Sequence, residues 1–296
     1  MSSLNNNSVN NMFSKFSSNQ YMIGTKEFLN SNSIVAKFAF LILVIVVFFY
    51  ALRLGVMILT WIFSSSPTPI LINGMIDSKQ QWIIPQNPST NGSIPILRSK
   101  NEQNGISFSW STWLYINDLT YRSGQYRHVF HKGNENINVT NAPTGMNTPD
   151  NAPGLYIAPD DNTLVVVLNT FKNITEKIEI ENIPIKKWFN VVIRCDSNIV
   201  DIFINGTLTR RYILQGVVKQ NYGDIFISMN GGFDGFTSLL RYYNYPIGTA
   251  TIQGIMADGP KLKLITDLSG KLDGAKESDY LAFRWYFTGD ENSFNV

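Results

Sequence analysis

One apolar run of 30 residues constrains the fold of this chain more than any other feature. Residues 34–63 read IVAKFAFLILVIVVFFYALRLGVMILTWIF, and Lys37 and Arg53 are their only charged side chains. About 20 apolar residues suffice to cross the hydrocarbon core of a bilayer. A signal peptide has a shorter apolar part that starts nearer the first Met, and a buried helix of a soluble domain usually has a polar face. The run therefore predicts a transmembrane helix, with Arg53 toward its C-terminal end and Trp61 as an interfacial anchor.

The charges on either side of this run predict its orientation. Lys15, Lys26 and Lys37 outweigh Glu27 on the N-terminal side, whereas the C-terminal flank has no charge before Asp77. Positively charged flanks stay in the cytosol. We therefore expect a single-pass membrane protein, in a host or virion membrane, with a cytosolic N-terminus and its C-terminal part on the opposite side.

Composition divides the rest of the chain into three segments. Residues 1–33 are polar and rich in Asn and Ser, which predicts a disordered tail. Residues 64–75 form a Ser/Pro linker. Residues 76–296 alternate short β-like runs with Gly, Asn, Asp and Pro turns, which predicts one β domain.

The overall counts exclude several classes of protein. The net charge of +2 gives no electrostatic footprint for nucleic acid. A single Cys excludes both an internal disulfide framework and a Cys-rich zinc site. The high aromatic content, 13% of residues against only 16% charged, is typical of a β-rich core.

Local patterns identify individual strands. Residues 106–116 alternate with period two, and one face of this strand is predicted to be core: Phe108, Trp110, Leu114 and Ile116. Asn205-Gly206 between two β-like runs is the strongest short signal for a hairpin. His128 and His131 lie three residues apart in another strand, so we expect them to face opposite sides.

Several segments follow one another in a characteristic order: a Trp-led strand, an Asn-Gly hairpin, a Gly-centred turn, an aromatic strand and a short helical turn. They lie at Trp188, Asn205-Gly206, Asp234-Gly235, Arg241–Tyr245 and Thr251–Ile255. This order resembles the laminin-G-like branch of the concanavalin A-like lectin/glucanase superfamily. The resemblance covers about residues 80–290 and implies an all-β fold, a two-sheet antiparallel jelly-roll sandwich.

Three further features resemble membrane-anchored members of this family in large DNA viruses. They are the abundance of Asn, the N-terminal apolar run and the ending YLAFRWYFTG at residues 280–289. The resemblance implies a protein displayed on a membrane or virion surface.

The superfamily includes glucanases, which use a pair of carboxyl groups for catalysis. A retaining glycosidase needs two carboxyl groups about 5–5.5 Å apart, and this family places them on one strand face in a Glu-x-Asp-x-(x)-Glu pattern. The nearest match is EKIEIE at residues 176–181, where Glu179 and Glu181 share a face but Lys177 occupies the position of the nucleophile. We therefore predict a solvated edge strand and a protein that is not an enzyme.

Relatives in this superfamily often bind one calcium ion at the rim of the sandwich through Asp, Asn and backbone oxygens. The resemblance suggests four candidate ligands here: Asp160, Asp161, Asn230 and Asp234. Calcium prefers six to eight oxygen ligands. The same residue types are also ordinary turn formers, and the sequence leaves both interpretations open.

Two aromatic residues are candidates for sugar binding. Tyr121 and Tyr126 flank a turn that contains Arg122, and an exposed ring beside amides is the usual platform for a glycan. Packing at a strand end explains them equally well. The longest predicted loop covers residues 133–153, and loops of this length are usually functional or disordered.

Together these patterns predict a membrane-anchored, lectin-like, non-catalytic binding module. The bilayer would be its partner through residues 34–63, and a glycan or a protein would be the partner of its β domain. The alternative is a structural component of a virion or membrane that binds no sugar. A glycoside hydrolase is disfavoured because the carboxylate pattern is incomplete.

Overall fold

The computed structural model describes residues 34–63, 66–102 and 105–266. The predicted disordered tail and the YLAFRWYFTG ending lie outside the described residues. The chain divides into two units, one with the apolar helix and one with the strands.

The apolar run forms a single helix, α1 (Ile34–Phe63). Its stretch Ile34–Thr60 is long and apolar enough to cross a membrane, by length and composition. Side chains from residue 37 to residue 60 are almost all exposed, as expected of a helix that is apolar on every side.

Thirteen strands are described in the second unit, together with a short 3-10 turn (Met229–Gly231) and one helix, α2 (Thr249–Asp258). The strands are β1 (Met75–Asp77), β2 (Trp82–Ile84), β3 (Lys100–Glu102), β4 (Gly105–Asp118), β5 (Arg127–Gly133), β6 (Gly154–Ile157), β7 (Leu164–Leu168), β8 (Glu176–Ile180), β9 (Trp188–Asp196), β10 (Ile199–Ile204), β11 (Thr207–Ile213), β12 (Asp224–Ile227) and β13 (Asp234–Tyr243).

These strands form two antiparallel sheets, as the sequence predicts. The first sheet has the order β1-β13-β4-β9-β10-β11, with β3 paired to β4. The second has the order β2-β12-β5-β6-β7-β8. The predicted all-β sandwich preceded by one apolar helix is thus confirmed.

The core lies between the two sheets. The predicted inward face of β4 is confirmed, because all four of its residues belong to the main buried cluster. Trp110 contacts Phe130 of the opposite sheet at 5.2 Å between ring centroids, and Tyr242 of the neighbouring strand at 5.1 Å. Cys195 belongs to the same cluster, and its burial raises the pKa of its thiol to about 12.

The Asn205-Gly206 hairpin is also confirmed. Both residues have positive φ, 50° and 76°, and they join β10 to β11. Glycine adopts such a conformation without the steric cost that other residues incur. The Asn205 side chain accepts a hydrogen bond from the Asn190 amide at 2.9 Å, which ties the turn to β9.

The prediction that His128 and His131 face opposite sides is wrong. The pairing of β5 with β6 shifts between His128 and Phe130, so one extra residue interrupts the alternation. Both imidazoles therefore lie on the outer side of the second sheet, and His128 Nε2 is 2.6 Å from His131 Nδ1.

The two ends of the sandwich are distinct. Asp118 of β4 pairs with Asp234 of β13, and we call this end the rim end. At the opposite end β13 finishes, and residues 67–70 run beside it: the Asn244 amide donates to the Pro67 carbonyl at 3.1 Å. We call this second end the linker end. Residues 66–74, part of the linker by sequence, are therefore joined to the sandwich by backbone hydrogen bonds.

Candidate functional site

An aromatic row crosses the outer face of the first sheet near the rim end. Phe236 of β13 lies opposite Tyr115 of β4, which in turn lies opposite Trp188 of β9. The centroid of the Tyr115 ring is 5.6 Å from that of the Trp188 ring and 6.3 Å from that of the Phe236 ring. Asp77 of β1 pairs with Phe236 and extends the row on a fourth strand. Side chains directly opposite on neighbouring strands lie close together, so register alone builds this row.

The row forms the floor of an open groove of about 450 Å³. All three rings are partly exposed. The groove is also lined by polar groups from the rim: Asp77, Lys79, Asn117 and Asp234. Aromatic rings beside a few convergent polar groups are typical of a small-ligand site.

Asp234 organises the polar edge of this groove. It accepts a hydrogen bond from Asn117 Nδ2 at 2.7 Å and forms an ion pair with Lys79 at 2.5 Å. The hydrogen bond from Lys79 holds the pKa of the Asp234 carboxyl below its usual value, and the same contact raises the pKa of Lys79. Both groups are therefore charged at neutral pH, and the edge presents a cation and an anion side by side.

Gly235 of β13 allows this strand to lie close to β4 beside the groove. A Cβ at this position would lie 1.9 Å from the Tyr115 carbonyl oxygen, and its φ of +155° is one that other residues rarely adopt. The sequence signal for this position was the Asp234-Gly235 turn, but only the structure shows what the glycine contacts.

Tyr121 is placed beside the same groove. Lys79 Nζ lies 5.1 Å from the centre of its ring, and its hydroxyl donates to the Gly231 carbonyl at 3.1 Å. Asn230 lies in the adjacent turn, where its side-chain oxygen accepts from Arg122 at 3.2 Å. Three of the predicted site residues, Tyr121, Asn230 and Asp234, are thus brought into one neighbourhood.

The other predicted residues lie elsewhere. Tyr126 is only 8% exposed; it packs edge-on against Tyr156 at 6.3 Å and accepts a hydrogen bond from Lys177 at 3.1 Å. Asp160 and Asp161 are exposed in the turn between β6 and β7. This turn is connected to the Tyr121 loop through a buried arginine rather than through a shared ligand pocket.

That arginine is Arg127, which is 1% exposed. Its guanidinium donates to the carbonyls of Tyr121 at 2.9 Å and of Pro159 at 3.0 Å, and also to those of Leu119 and Ala158. Burial lowers its pKa, while the nearby Asp160 raises it. One side chain therefore fixes two rim loops that approach from different strands.

Two of the four side chains proposed for calcium already have cationic partners. Asp234 is paired with Lys79, and Asn230 with Arg122. Within residues 34–63, 66–102 and 105–266, no group of three or more His, Cys, Asp or Glu side chains is arranged to hold a metal ion. A calcium ion at this rim would therefore have to displace two cationic side chains.

The three glutamates of residues 176–181 differ in their burial. Glu176 is buried and accepts hydrogen bonds from the Gln215 amide at 2.7 Å and from Thr170 at 3.1 Å. Glu179 and Glu181 are exposed. Glu176 is thus engaged in holding two chain segments together.

Comparison with known proteins gives only distant similarity. Neither a protein-family model nor a curated protein matches the chain. Among solved structures, the receptor-binding domain of botulinum neurotoxin C/D mosaic serotype is similar, with a TM-score of 0.40 and 14% identity over 51% of this chain and 36% of that one. The binding domain of botulinum neurotoxin DC in complex with rat synaptotagmin II gives 0.39 and 19%, over 51% of this chain and 35% of that one. This chain thus spans about a third of the length of those domains.

Proposed function

We propose that this protein is a single-pass, membrane-anchored, non-catalytic binding module of the laminin-G-like kind, and that its β domain recognises a glycan at the rim end. The observation that supports this most directly is the aromatic row of Tyr115, Trp188 and Phe236 beside the Lys79–Asp234 pair. A protein partner is the first alternative ligand, and a structural role on a membrane or virion surface is the second.

The chemistry of the groove suits a sugar. Aromatic rings provide flat apolar faces, on which the C–H faces of a pyranose can pack. The amide of Asn117 and the carboxylates of Asp77 and Asp234 can exchange hydrogen bonds with hydroxyl groups. Tyr121, beside Lys79, extends the platform, whereas Tyr126 packs against Tyr156 away from the groove.

The decisive experiment is a glycan-array screen of the full chain in lipid nanodiscs, with calcium and with a chelator. Selective binding that survives the chelator would support the aromatic row as the platform. Binding lost on chelation would instead support calcium ligation by Asp160, Asp161, Asn230 and Asp234. A folded chain that binds nothing in either condition would contradict the sugar hypothesis and favour the structural or protein-partner alternative.

Removing the ring at one end of the aromatic row should weaken glycan binding. We expect Trp188→Ala to lower the affinity for any glycan found on the array about two- to tenfold, because a stacked ring contributes roughly 0.5–1.5 kcal/mol. Isothermal titration calorimetry would measure this. Tyr222→Ala is the matched control, because Tyr222 is an aromatic residue that is 92% exposed and lies away from the groove. Equal losses in both variants would contradict the assignment.

A further inference from the structure

A cavity distinct from the groove lies between the two sheets at the linker end. Its floor consists of aromatic side chains of the core: Phe108 and Trp110 of β4, and Tyr242, the penultimate residue of β13. Its volume is about 360 Å³, which is within the range of small-molecule pockets. The three rings offer a flat apolar ligand the edge and face contacts that aromatic groups favour.

Two chain segments form walls of this cavity and are tied to each other. Arg98 Nε donates to Gln220 Oε1 at 3.2 Å, and Gln220 Nε2 donates to the Ser99 hydroxyl. The Tyr242 hydroxyl donates to the Leu97 carbonyl at 3.0 Å, which fixes the first segment to β13. The walls are therefore held by defined contacts rather than by the presence of a ligand.

The Gln86 side chain shapes the first of these segments. Its Nε2 donates to the Ile94 carbonyl at 2.9 Å, and its Oε1 accepts from the Ile96 amide at 3.0 Å. Both Gln86 and Ile96 line the cavity. A pocket that is formed before its ligand arrives avoids part of the ordering cost of binding.

Cationic side chains outnumber carboxylates around the cavity. Arg98, Lys132 and Lys219 line it, and among the described residues of the lining Asp224 is the one carboxylate. The Asp224 carboxylate already accepts a hydrogen bond from the Gln86 amide at 2.8 Å. The lining therefore carries an excess of positive charge, which attracts an anionic ligand.

Lys132 is the most deeply buried of these cations, with only 7% of it exposed. Its ammonium donates to the Gly223 carbonyl at 2.7 Å, to the Asn221 carbonyl at 2.9 Å and to the Asn221 side-chain oxygen at 3.2 Å. All three acceptors are neutral oxygens. Burial lowers the pKa of Lys132 to about 8, while Asp224 acts on it in the opposite direction. An anion in the cavity would compensate this buried charge.

We propose that this cavity binds a small carboxylic acid with a flat aromatic body. The ring of the ligand packs against Trp110 and Tyr242 on the floor. Its carboxylate faces the cationic side chains of Arg98, Lys132 and Lys219. This site lies at the end of the sandwich opposite to the proposed glycan groove, so neither proposal depends on the other.

The test compares two ligands that differ in charge but hardly in shape, 2-naphthoate and 2-naphthamide. Isothermal titration calorimetry uses the full chain in phosphatidylcholine nanodiscs, and empty nanodiscs correct for partition into lipid. We expect one molecule of 2-naphthoate per chain, bound at least about tenfold more tightly than the amide, because contacts with charged groups are stronger than neutral ones. Equal affinities would overturn the assignment of an anionic ligand.

Neutralising the two outer cations gives the second measurement. We expect Arg98→Gln with Lys219→Gln to weaken 2-naphthoate at least about fivefold and to leave 2-naphthamide within about twofold. The matched control is Lys187→Gln with Arg210→Gln, which removes the same charge at exposed positions outside the lining. Equal losses in the two double variants would overturn the site, because they would show an effect of net charge alone.

A third variant tests the cavity itself. Ala152 lines it, and Ala152→Leu should weaken both ligands at least about fivefold by filling space that the ring needs. Circular dichroism checks that each variant keeps its fold. Unchanged binding in a folded Ala152→Leu chain would place the ligand elsewhere and overturn the proposal. A folded parent chain that binds neither ligand would overturn it as well.

Discussion

Arg127 shows how a single buried residue organises the candidate site. Its guanidinium satisfies four backbone carbonyls from two loops. Arginine suits this role because its planar fork presents several donors in fixed directions. The nearby carboxylates of Asp118, Asp160 and Asp161 act on it only through space. Nothing in the local sequence distinguishes this arginine from an exposed one, because its partners come from remote segments.

Replacing this arginine should destabilise the fold. We expect Arg127→Lys to lower the free energy of unfolding by about 2–4 kcal/mol, because one ammonium cannot reach all four carbonyls and leaves some of them buried without a partner. Denaturant unfolding measures the change. Arg210→Lys, on the exposed strand β11, should stay within about 0.5 kcal/mol of the parent. An equally small effect at Arg127 would show that water replaces the lost donors.

The two histidines form a directed chain of hydrogen bonds. The Met229 amide donates to His128 Nδ1 at 3.1 Å, so the proton of neutral His128 lies on Nε2 and points at His131 Nδ1. His131 Nε2 then donates to the Asn134 carbonyl at 2.8 Å. Phe226 stacks on His131, and the buried Tyr156 packs against His128. A proton added to either ring would place two N–H groups face to face.

This network should make the protein sensitive to acid. Burial lowers the pKa of His131 to about 4 and that of His128 well below its usual value. Both side chains take up a proton near pH 6.5 only when unfolded, so their contribution is complete above that pH and is lost as the pH falls toward 4. We expect unfolding free energy to drop by about 2 kcal/mol per histidine between pH 7 and pH 5.

The measurement is chemical denaturation across this pH range. The chain has only two histidines, so His131→Gln should reduce the slope of stability against pH by about half. A slope unchanged in this variant would show that other groups cause the acid sensitivity.

At the scale of elements, the sequence predicted strands better than it predicted their relations. Period-two alternation identified β4 and its core face, and Asn205-Gly206 identified the β10–β11 hairpin. The bulge in β5 has no local signature, so the two histidines were assigned to opposite faces. The sequence did not predict the aromatic row because the row depends on the register of three strands, although the alternation of β4 already turned Tyr115 outward.

Close packing of β13 on β4 should make Gly235 intolerant of any side chain. We expect Gly235→Ala to lower the free energy of unfolding by about 2–4 kcal/mol, because its Cβ would overlap the Tyr115 carbonyl and force the strands apart. Thermal unfolding measures this. Gly248→Ala is the control, since no atom lies within 4 Å of its added Cβ. Similar midpoints for the two variants would contradict the close approach.

At the scale of the whole molecule, the sequence predicted the class of fold but not the distinction between its two ends. Whether a turn belongs to the rim end or the linker end follows only from strand order and direction. Tyr121 and Asp234 are 113 positions apart, and both contact Lys79 through the turn between β1 and β2. Such proximity depends on long-range pairing and cannot be read from local patterns.

Membrane anchoring itself is directly testable. We expect the full chain to remain in the membrane pellet after carbonate extraction, and the double variant Val46→Asp with Val47→Asp to be released. Each central carboxylate opposes insertion by roughly 2.5–3.5 kcal/mol. Tyr50→Phe, in the same part of α1, should stay in the pellet. Retention of the double variant would show that another part of the chain holds it to the membrane.

The aromatic row also limits the length of ligand that can gain affinity from it. Neighbouring strands lie about 4.8 Å apart, so rings on three adjacent strands cover roughly 10 Å measured across the sheet. A ligand lying along the row would run perpendicular to the strands and meet one ring after another. Its affinity should therefore rise in steps as the ligand lengthens, and should stop rising once the third ring is covered.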